Sequence, residues 1–473
     1  MSDQAPVIVW FRDDLRIADN PALLAASATG RPMVCLFVRD EESKGIRPLG
    51  GAAKWWLGES LQTLANDLQE LGGKLVLRTG KAASVVPDIA QETGAVGVCW
   101  NRRYGAAAQV DEKVEAALQN SGIVADSFQA NLLFEPGVAG KTLRVFTPFW
   151  KRMRSLDAPR KPHPRPKKLT QMRAVQSESL SQWQLKPHKP DWAGGLREAW
   201  TPGEAGAQAA LEHFIDDVLD GYGANRDRPD RDGTSRLSPH LRFGEISPFQ
   251  VWHAVMSARG DAPSSDIEKF LAELGWREFN YQLLHDAPDI AERNLQPRFD
   301  GFGWDSDKAA VQAWQQGCTG YPIVDAAMRD LWSTGFMHNR LRMVVASFLV
   351  KHLLIDWRVG EQWFWGTLVD ADFANNPANW QWVAGAGADA APYFRIFNPI
   401  LQGEKFDPHG DFVRRFVPEL ADVPDRYVHQ PWKLSPVELA SAGVKLGDTY
   451  PEPIIDHDFA RRRALAAYDK VKG

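Results

Sequence analysis

Short apolar runs alternate with longer amphipathic stretches through the first 130 residues of the chain. Val7–Trp10 and Met33–Val38 have the character of buried strands, and the later segments Leu75–Arg78, Ala95–Trp100 and Ile123–Phe128 are also interpreted as strands. The stretches between them have helical spacing, from Asn20-Pro21 onward and over 51–71, 82–93 and about 106–120. Strands that alternate with helices pair in parallel, so residues 1–130 are predicted to form a doubly wound α/β domain with a parallel sheet.

The pattern becomes helical from about residue 204. Apolar residues recur at three- to four-residue spacing over 207–219, 248–258, 267–284, 308–317, 323–334, 339–354 and 360–368. Residues 204–473 are therefore predicted to form an all-α domain. The intervening residues 131–203 are interpreted as an interdomain linker. Its proline-punctuated basic run, Arg160–Lys168, is predicted to be extended and solvated, and an arm that binds nucleic acid is the alternative.

Charge and cysteine content narrow the class of protein. The 473 residues carry a net charge of −5, so any contact with nucleic acid must come from a local basic patch. Cys35, Cys99 and Cys318 are isolated, which argues against disulfides and structural zinc and fits a reducing cytosol; no metal site is expected. The longest apolar run, Met343–Val350, is too short to span a bilayer, so no membrane association is expected.

The stretch Asp370–Trp382 concentrates carboxylates, amides and indoles in an apolar setting. Asp370 and Asp372 cannot share one helical face, so a turn is expected there. Such a mixture suits a flat aromatic ligand with hydrogen-bonding edges. The alternative is a capped helix end followed by two core tryptophans, since asparagine and proline are also ordinary loop residues.

Two earlier segments suit a diphosphate and a base. Gly233-Thr-Ser-Arg-Leu-Ser238 offers successive hydroxyls, backbone N–H groups and the charge of Arg236, which suit a diphosphate; a Ser/Thr-rich helix cap is the alternative. Glu273 and Trp276 share one face of the helix predicted over 267–284. They could hydrogen-bond to a base and stack on it, whereas a surface glutamate beside a core tryptophan is the ordinary interpretation.

A third segment opens the otherwise apolar helix predicted over 339–354. Asn339, Arg342 and Met343 lie within one turn of it. If Arg342 is buried it needs a partner, and Asp370 or Asp372 can supply one. The alternative is an arginine at the helix end that reaches solvent.

Several longer motifs follow one another in a fixed order along the chain. They are Gly320-Tyr-Pro-Ile-Val-Asp-Ala-Ala-Met328, Met337-His-Asn-Arg-Leu-Arg-Met343, Asp370-Ala-Asp-Phe-Ala-Asn-Asn376, Trp380-Gln-Trp382 and Phe394-Arg-Ile-Phe-Asn-Pro399. Together they closely resemble the flavin-binding domain of the photolyase/cryptochrome family. Val9-Trp-Phe-Arg-Asp-Asp-Leu-Arg16 and Gly233–Ser238 resemble that family too. The resemblance implies an α/β antenna domain followed by an all-helical FAD-binding domain, in agreement with the periodicity.

The resemblance also implies which residues hold FAD. Those expected at the ribose and diphosphate are Tyr222, Thr234, Ser235, Arg236, Leu237 and Ser238. Arg342 and Asp370 would form an ion pair over the isoalloxazine ring. Asp372 would accept a hydrogen bond from the ring N3–H, and Asn376 would face N5.

The implied substrate is DNA with an extruded pyrimidine dimer. Trp276 and Trp382 would form two walls around the dimer, Glu273 and Asn339 would hydrogen-bond to its bases, and Met343 would pack nearby. Basic side chains expected at the phosphates are Arg226, Arg395 and Lys405. Trp380, Trp357 and Trp304 would carry electrons between flavin and surface.

The function that the resemblance implies is light-driven repair of cyclobutane pyrimidine dimers, by electron transfer from excited, reduced, anionic FAD to a flipped-out dimer. Asn376 favours this activity of a deoxyribodipyrimidine photo-lyase, because plant cryptochromes typically carry an acid there. Trp382 and Asn339 favour it too, since plant cryptochromes tend to have Tyr and 6-4 photolyases a second His at these positions. Gly51–Trp56 and Trp363–Trp365 look closer to plant cryptochromes and their nearest bacterial photolyase relatives. A cryptochrome-type blue-light photoreceptor is therefore the alternative, and a light-independent flavin oxidoreductase is the third hypothesis.

The antenna chromophore is the least specified cofactor. The best-known folate-binding photolyases have an Asn-Glu pair after the tyrosine that matches Tyr104, whereas this chain has Gly105-Ala-Ala-Ala108. The resemblance to plant-cryptochrome-like relatives still favours 5,10-methenyltetrahydrofolate, with 8-hydroxy-5-deazaflavin as the alternative. A monomer in the bacterial cytosol is expected, associated with the nucleoid when it is bound to DNA.

Overall fold

The computed structural model describes residues 5–138, 140, 143–172, 175–258, 264–389 and 394–472. Contacts divide the chain into two compact units. Unit 1 comprises 1–193, 199–220 and 235–288, and unit 2 comprises 194–198, 221–234 and 289–473. Each of the three domain ranges predicted from the sequence is one continuous segment, whereas each unit combines several segments that contact one another. The predicted ranges therefore stay predictions.

Unit 1 contains a five-stranded, wholly parallel sheet. Its strands are β1 (Val7–Phe11), β2 (Met33–Arg39), β3 (Leu75–Thr79), β4 (Gly97–Asn101) and β5 (Val124–Phe128), in the spatial order β3-β2-β1-β4-β5. The apolar runs predicted the inner strands because both faces of a parallel sheet are covered, whereas β5 lies at an edge of the sheet and is partly exposed. Ile8 pairs with Val34 on one side and with Val98 on the other. The predicted doubly wound fold is confirmed.

Helices follow the strands and then take over the chain. The first ten are α1 (Pro21–Ala28), α2 (Gly51–Glu70), α3 (Ala82–Thr93), α4 (Ala106–Asn120), α5 (Phe146–Arg154), α6 (Gly194–Ala199), α7 (Glu204–His213), α8 (Tyr222–Asn225), α9 (Ser238–Phe243) and α10 (Pro248–Ser257). The others are α11 (Ser265–Asp286), α12 (Lys308–Gln316), α13 (Pro322–Thr334), α14 (Asn339–Ser347), α15 (Trp357–Thr367), α16 (Asn375–Ala384), α17 (Pro399–Phe406), α18 (Asp411–Phe416), α19 (Pro436–Ser441) and α20 (His457–Asp469). The predicted helical region is therefore confirmed. None of the helices among the described residues is long and apolar enough to cross a bilayer.

Two predicted helices change winding before they end. The helix predicted over 339–354 is α14 followed by a π-helical turn at Phe348–His352, and the helix predicted over 207–219 is α7 followed by a similar turn at Phe214–Val218. A π-turn inserts an extra residue, which changes the direction of the side chains that follow. Apolar spacing could not indicate this, because buried residues continue through both turns.

The core of unit 1 lies between the sheet and its flanking helices. Ile8, Trp10 and Val98 are buried against Val86 of α3 and Val114 of α4. The indoles of Trp10 and Trp100 meet edge to face at 6.0 Å between centroids. Large aromatic residues thus fill the centre of this sheet.

The carboxyl edge of the sheet carries a buried polar cluster at the reversal of strand order. Arg12 follows β1, and its guanidinium donates to the Asn101 carbonyl at 2.5 Å and to Asp111 at 3.1 Å. Arg103 donates to the other Asp111 oxygen at 2.5 Å. Open α/β sheets place ligands at this edge, but here the protein's own side chains bridge the two central strands.

The basic run Arg160–Lys168 is packed at its start, whereas Lys161, Arg165, Lys167 and Lys168 are exposed. Arg160 Nη1 lies 2.5 Å from Asp19 Oδ1, and its guanidinium stacks over Phe249 at 3.9 Å. The backbone N–H of His163 donates to the same Asp19 oxygen at 2.8 Å. The prediction of a solvated linker is wrong at this end, because Asp19 is buried and requires a cationic partner.

In unit 2, a buried carboxylate organises the start of α13. Asp325 accepts hydrogen bonds from the backbone N–H of Thr319 at 2.7 Å and of Gly320 at 3.0 Å. The hydroxyl of Tyr450 donates to it at 2.8 Å. Gly320 has a positive φ of 78°, which permits this tight turn. In the motif Gly320–Met328, Asp325 therefore has a structural role: it holds the turn before α13 and binds Tyr450.

Candidate functional site

Asp370 and Asp372 lie in a turn, as predicted, and the helix begins after them. Asp372 Oδ1 accepts hydrogen bonds from the backbone N–H of Ala374 at 2.8 Å and of Asn375 at 2.7 Å. The oxygen therefore satisfies donors that the start of α16 leaves without intrahelical partners. The helix-cap alternative describes this oxygen correctly, so any ring contact of Asp372 would have to come from its other oxygen.

Asp370 is the partner of Arg342. Arg342 Nη2 lies 2.7 Å from Asp370 Oδ2, and Arg342 Nε donates to the Met337 carbonyl at 2.7 Å. The arginine side chain is 26% exposed and the aspartate 4%. The guanidinium is thus fixed at two points, and part of its surface stays available to another molecule.

Asn376 lies beside a buried acid that sequence reasoning did not single out. Its Nδ2 donates to Glu361 Oε1 at 2.8 Å and to the Glu361 carbonyl at 3.0 Å. Both residues are buried. The amide of Asn376 is therefore held in one orientation by α15.

The two tryptophans of α16 occupy different environments. Trp380 is buried, with its ring edge to face against Phe364 at 5.0 Å, and Gly360 packs so closely that any Cβ there would overlap the indole. Trp382 is half-buried, and its Nε1 donates to the Asp389 carbonyl at 3.0 Å. The Trp380 indole is therefore part of the interior, whereas part of the Trp382 indole is exposed to solvent.

The other two tryptophans of the predicted electron chain, Trp357 and Trp304, differ in how exposed they are to solvent. Trp357 is buried and donates through Nε1 to Asn294 at 2.9 Å. Trp304 is half-buried and contacts Phe302 at 4.3 Å between ring centroids. Exposure thus increases from Trp380 and Trp357 to Trp304.

Helix α14 presents three predicted site residues on one side. Asn339 is exposed, and Arg342 and Met343 are half-buried one turn later. The helix is capped by His338, whose Nδ1 accepts from the Arg340 backbone N–H at 3.2 Å. Burial lowers the pKa of His338 to about 4, so this ring is a neutral hydrogen-bond acceptor near pH 7.

Arg395 is exposed on the segment that precedes α17, and a buried lysine holds its backbone. Lys351 Nζ donates to the Arg395 carbonyl at 2.5 Å and lies 4.2 Å from the centre of the Phe394 ring. Burial lowers the pKa of Lys351 to about 7. Lys351 lies within the π-turn at Phe348–His352, which the sequence pattern did not indicate.

The hydroxyl-rich segment starts in unit 2 and ends in unit 1. In unit 2, Tyr222 is buried under Arg226, and a Cβ at Gly233 would lie 2.7 Å from the Asn225 carbonyl, so only glycine fits before Thr234. In unit 1, Ser235 Oγ accepts from the Leu237 N–H at 3.4 Å. Arg236 has a positive φ of 51°, and its guanidinium lies 4.3 Å above the Trp200 ring. Exposed Ser238 follows as the first residue of α9.

Glu273 and Trp276 lie together on α11 in unit 1, both half-buried. One face of Trp276 is covered by Phe146 of α5, with 3.9 Å between ring centroids and 8° between ring planes. The ring of Trp150 is also nearly parallel to Phe146, with 6.4 Å between ring centroids. Phe146 was missed from the sequence because α5 lies in the range interpreted as linker.

The comparisons with known proteins cover nearly the whole chain. Residues 7–167 match the family model described as DNA photolyase, and 270–470 match the FAD binding domain of DNA photolyase. A deoxyribodipyrimidine photo-lyase of Agrobacterium fabrum is 53% identical over 99% of this chain and 98% of its own length. Cryptochrome-1 of Arabidopsis thaliana is 39% identical over 98% of this chain and 70% of its own length.

Solved structures agree with these matches. The crystal structure of a bacterial class III photolyase from Agrobacterium tumefaciens has a TM-score of 0.96 at 52% identity, covering 100% of this chain and 98% of that one. The cryptochrome of Synechocystis has a TM-score of 0.88 at 30% identity, covering 98% and 100%. The chain belongs to the photolyase/cryptochrome family.

Proposed function

We propose that this chain is a deoxyribodipyrimidine photo-lyase that uses light to split cyclobutane pyrimidine dimers in DNA. The observation that carries the proposal is Asn376, a buried amide in the same unit as the Arg342–Asp370 ion pair. An amide can hydrogen-bond to flavin N5, but it is no proton donor near neutral pH, whereas an acid can be one. The similar photo-lyase of Agrobacterium fabrum supports the same activity.

The chain's residues fit FAD. Arg236 (φ 51°) and Leu237 (φ −80°) have backbone conformations of opposite hand, which turn successive N–H groups toward a common point that suits an anion. The partly exposed Arg342 can face the ring while Asp370 holds it, and Asn376 Oδ1 accepts no hydrogen bond from the described residues. When bound in its reduced, anionic form, FAD supplies the electron that opens the dimer after light absorption. Tyr222, Thr234, Ser235, Ser238 and Asp372 keep their roles as predictions.

The lesion-binding roles also stay predictions, with individual support. Trp276 and Trp382 are both half-buried indoles, and each stacked base contributes about 1–3 kcal/mol. Met343 and Asn339 share the exposed side of α14, and Glu273 lies one turn before Trp276. The neutral, buried His338 argues against the acid chemistry of 6-4 repair.

The proposed phosphate contacts are Arg226, Arg395 and Lys405. Each phosphate contact should contribute about 0.9 to the slope of log affinity against log salt for duplex DNA. Arg395→Ala is expected to weaken binding to damaged and undamaged duplexes alike and to reduce that slope by about 1. An unchanged slope would remove Arg395 from the DNA interface. Arg415→Ala, at another exposed arginine of unit 2, is the control.

A blue-light assay separates repair from signalling. Fully reduced protein is mixed with an oligonucleotide that carries one thymine dimer, and restored thymines are counted after illumination. Repair at each lesion is expected. Tight lesion binding without restored thymines would contradict the photo-lyase activity and favour the cryptochrome-type photoreceptor, for which the similarity to plant cryptochromes speaks.

The chain Trp380–Trp357–Trp304 is proposed to refill the flavin with electrons from the surface. The increase in exposure toward Trp304 supports this direction. Trp380→Phe should slow photoreduction of oxidised protein at least tenfold and leave repair by chemically reduced protein nearly unchanged. If repair by the reduced protein fell equally, the two electron paths would not be separate. Trp192→Phe, at an exposed indole of unit 1, is the control.

The antenna is proposed to be 5,10-methenyltetrahydrofolate, with 8-hydroxy-5-deazaflavin as the alternative. Gly105 has a φ of 64°, and a Cβ there would lie 2.7 Å from Leu284 Cγ. An asparagine at this position, as in the best-known folate binders, would collide with α11, so a folate must use other contacts. Extraction of the bound chromophores and their absorption spectra distinguish the two. A monomeric state and a cytosolic location, with nucleoid association on DNA, stay predictions.

A further inference from the structure

Glu361 is a buried acid of α15 to which the sequence motifs give no role. It is 3% exposed, and α15 packs directly against α16. Its carboxylate oxygen Oε1 lies 2.8 Å from Asn376 Nδ2, and its backbone carbonyl lies 3.0 Å from the same nitrogen. Glu361 therefore contacts Asn376 through both its side chain and its main chain.

These two contacts fix which end of the Asn376 amide is which. Amide nitrogen and oxygen are usually assigned only from their surroundings. Here one partner is a backbone carbonyl and the other is a carboxyl oxygen, so the atom facing them must be the NH2 group, and both of its hydrogens are used. Asn376 Oδ1 consequently points away from Glu361, and it accepts no hydrogen bond from the described part of the chain.

We infer that Glu361 is a positioning residue that makes Asn376 present a hydrogen-bond acceptor, and so favours the reduced flavin over the oxidised one. This inference rests on the proposed function, which assigns Asn376 to the flavin N5. Reduced flavin carries a hydrogen on N5, whereas oxidised flavin has only a lone pair there. A fixed Oδ1 acceptor complements the first and opposes the second.

The consequence appears in the reduction potential of the bound flavin. Glu361→Gln replaces one carboxyl oxygen with an NH2 group, so the side chain no longer offers only acceptors to the Asn376 amide. The preference for one amide orientation is then weakened to the contribution of the residue 361 backbone carbonyl, and the turned amide, which offers NH2 to oxidised N5, becomes more populated. The same substitution also removes a negative charge, which by itself favours an anionic reduced ring. The two effects separate in an Asn376→Ala background, where only the effect of the charge remains.

The experiment is a double-mutant cycle on the holoprotein, read by redox titration. Glu361→Gln should disfavour reduced flavin roughly fivefold to tenfold more in the wild-type background than in Asn376→Ala, as expected for one hydrogen bond. Tenfold corresponds to about 30 mV for a two-electron couple. Glu278→Gln, the same exchange at another buried glutamate, should leave the potential unchanged.

Equal effects of Glu361→Gln in both backgrounds would overturn the positioning role, and so would an unchanged potential in both. If Glu361→Gln does not fold, Glu361→Asp is used, which keeps the charge but shortens the reach to Nδ2; its cycle with Asn376→Ala must show the same non-additivity. Failure of the proposed function is seen separately, as a wild-type protein that binds flavin with a measurable potential but restores no thymines.

Discussion

Two arginine–aspartate pairs, one in each unit, each have a buried aspartate but lie in different surroundings. Arg12 lies 3.1 Å from Asp111, and their side chains are 5% and 9% exposed. Arg342 lies 2.7 Å from Asp370, with 26% and 4% exposed. The first pair is enclosed by the protein, and the second is open on the arginine side.

Enclosure makes the first pair structural. Arg103 and the Asn101 carbonyl add hydrogen bonds to Asp111 and Arg12, and together they join the ends of β1 and β4. Burial lowers the pKa of Arg12 to about 10, which records the cost of removing its charge from water. In the open pair, the exposed part of the Arg342 side chain is available to contact a ligand. Exposure, rather than residue type, separates the two roles.

The aromatic residues repeat this contrast within unit 1. Trp56 is fully buried, stacked on Phe243 at 6.2 Å, and its Nε1 donates to Glu245 at 2.9 Å. Trp276 rests one face on Phe146 and is half-buried. A rigid indole supported on a single face is suited to stacking on a base.

The largest expected effect comes from opening the enclosed pair. Asp111→Ala leaves the guanidinium groups of Arg12 and Arg103 without their shared carboxylate. Removing one partner of a buried ion pair costs about 3–5 kcal/mol. Urea unfolding should show this loss, and Glu112→Ala, at the exposed neighbouring acid of α4, should change stability by less than about 0.5 kcal/mol. Equal losses would show that enclosure is irrelevant.

The free energy of unfolding should depend on pH through Glu278, a buried acid whose partner Arg277 does not fully offset its burial. Burial raises the pKa of Glu278 from 4.5 to about 7, although Arg277 lies 3.3 Å away. The folded protein therefore holds this proton more tightly than the unfolded chain, so stability falls as pH rises from about 4.5 to 7 and levels off above. Glu278→Gln should be more stable than wild type by roughly 2–3 kcal/mol at pH 8 and nearly equal to it at pH 4. The same difference at both pH values would contradict the raised pKa.

Breaking the open pair should affect the ligand more than the fold. Arg342→Gln removes a charged hydrogen bond worth about 1.5–3 kcal/mol, so flavin retention should weaken roughly tenfold to 150-fold. The ratio of flavin to protein after dialysis measures this loss. Arg329→Gln, in an ion pair with Glu419 of the same unit, is the matched control and should retain flavin. Equal loss from both variants would assign Arg342 a general structural role.

The smallest expected effect concerns the supported indole. Trp276→Ala should weaken binding to a dimer-containing oligonucleotide by about 1–3 kcal/mol, the contribution of a stacked base, and should change binding to undamaged DNA little. Phe146→Leu keeps bulk behind Trp276 but removes the flat support, so a smaller loss is expected. A uniform loss on damaged and undamaged DNA would place Trp276 outside lesion recognition.

The sequence predicted the elements whose periodicity depends on burial. The strands β1, β2 and β4 were found because both of their faces are covered, whereas the edge strand β5 was found although it is partly exposed. Arg342 was expected to need an acid because it opens a buried helix. The choice of Asp370 over Asp372 could not be predicted by spacing, since both lie within reach of the same turn. Only coordinates show that Asp372 Oδ1 caps α16.

Contacts between distant segments escaped the sequence. Glu361 sits among tryptophans on α15 without a motif of its own, and its bond to Asn376 spans two helices. Lys351 lies in a π-turn that the apolar spacing did not indicate, and it donates to the Arg395 carbonyl. Phe146 supports Trp276 from a range that looked like linker, since loop-rich composition conceals a short helix. Each of these three residues contacts a predicted site residue: Glu361 contacts Asn376, Lys351 contacts Arg395, and Phe146 contacts Trp276.

The most direct measurement compares dimer splitting across light and flavin state. Wild-type protein, prepared anaerobically with fully reduced or fully oxidised flavin, is mixed with the dimer-containing oligonucleotide and kept in the dark or given blue-light flashes. Restored thymines are expected only with reduced flavin and light together. Splitting in the dark, or equal splitting with oxidised flavin when no reductant is present, would contradict light-driven electron transfer and favour a light-independent flavin reaction.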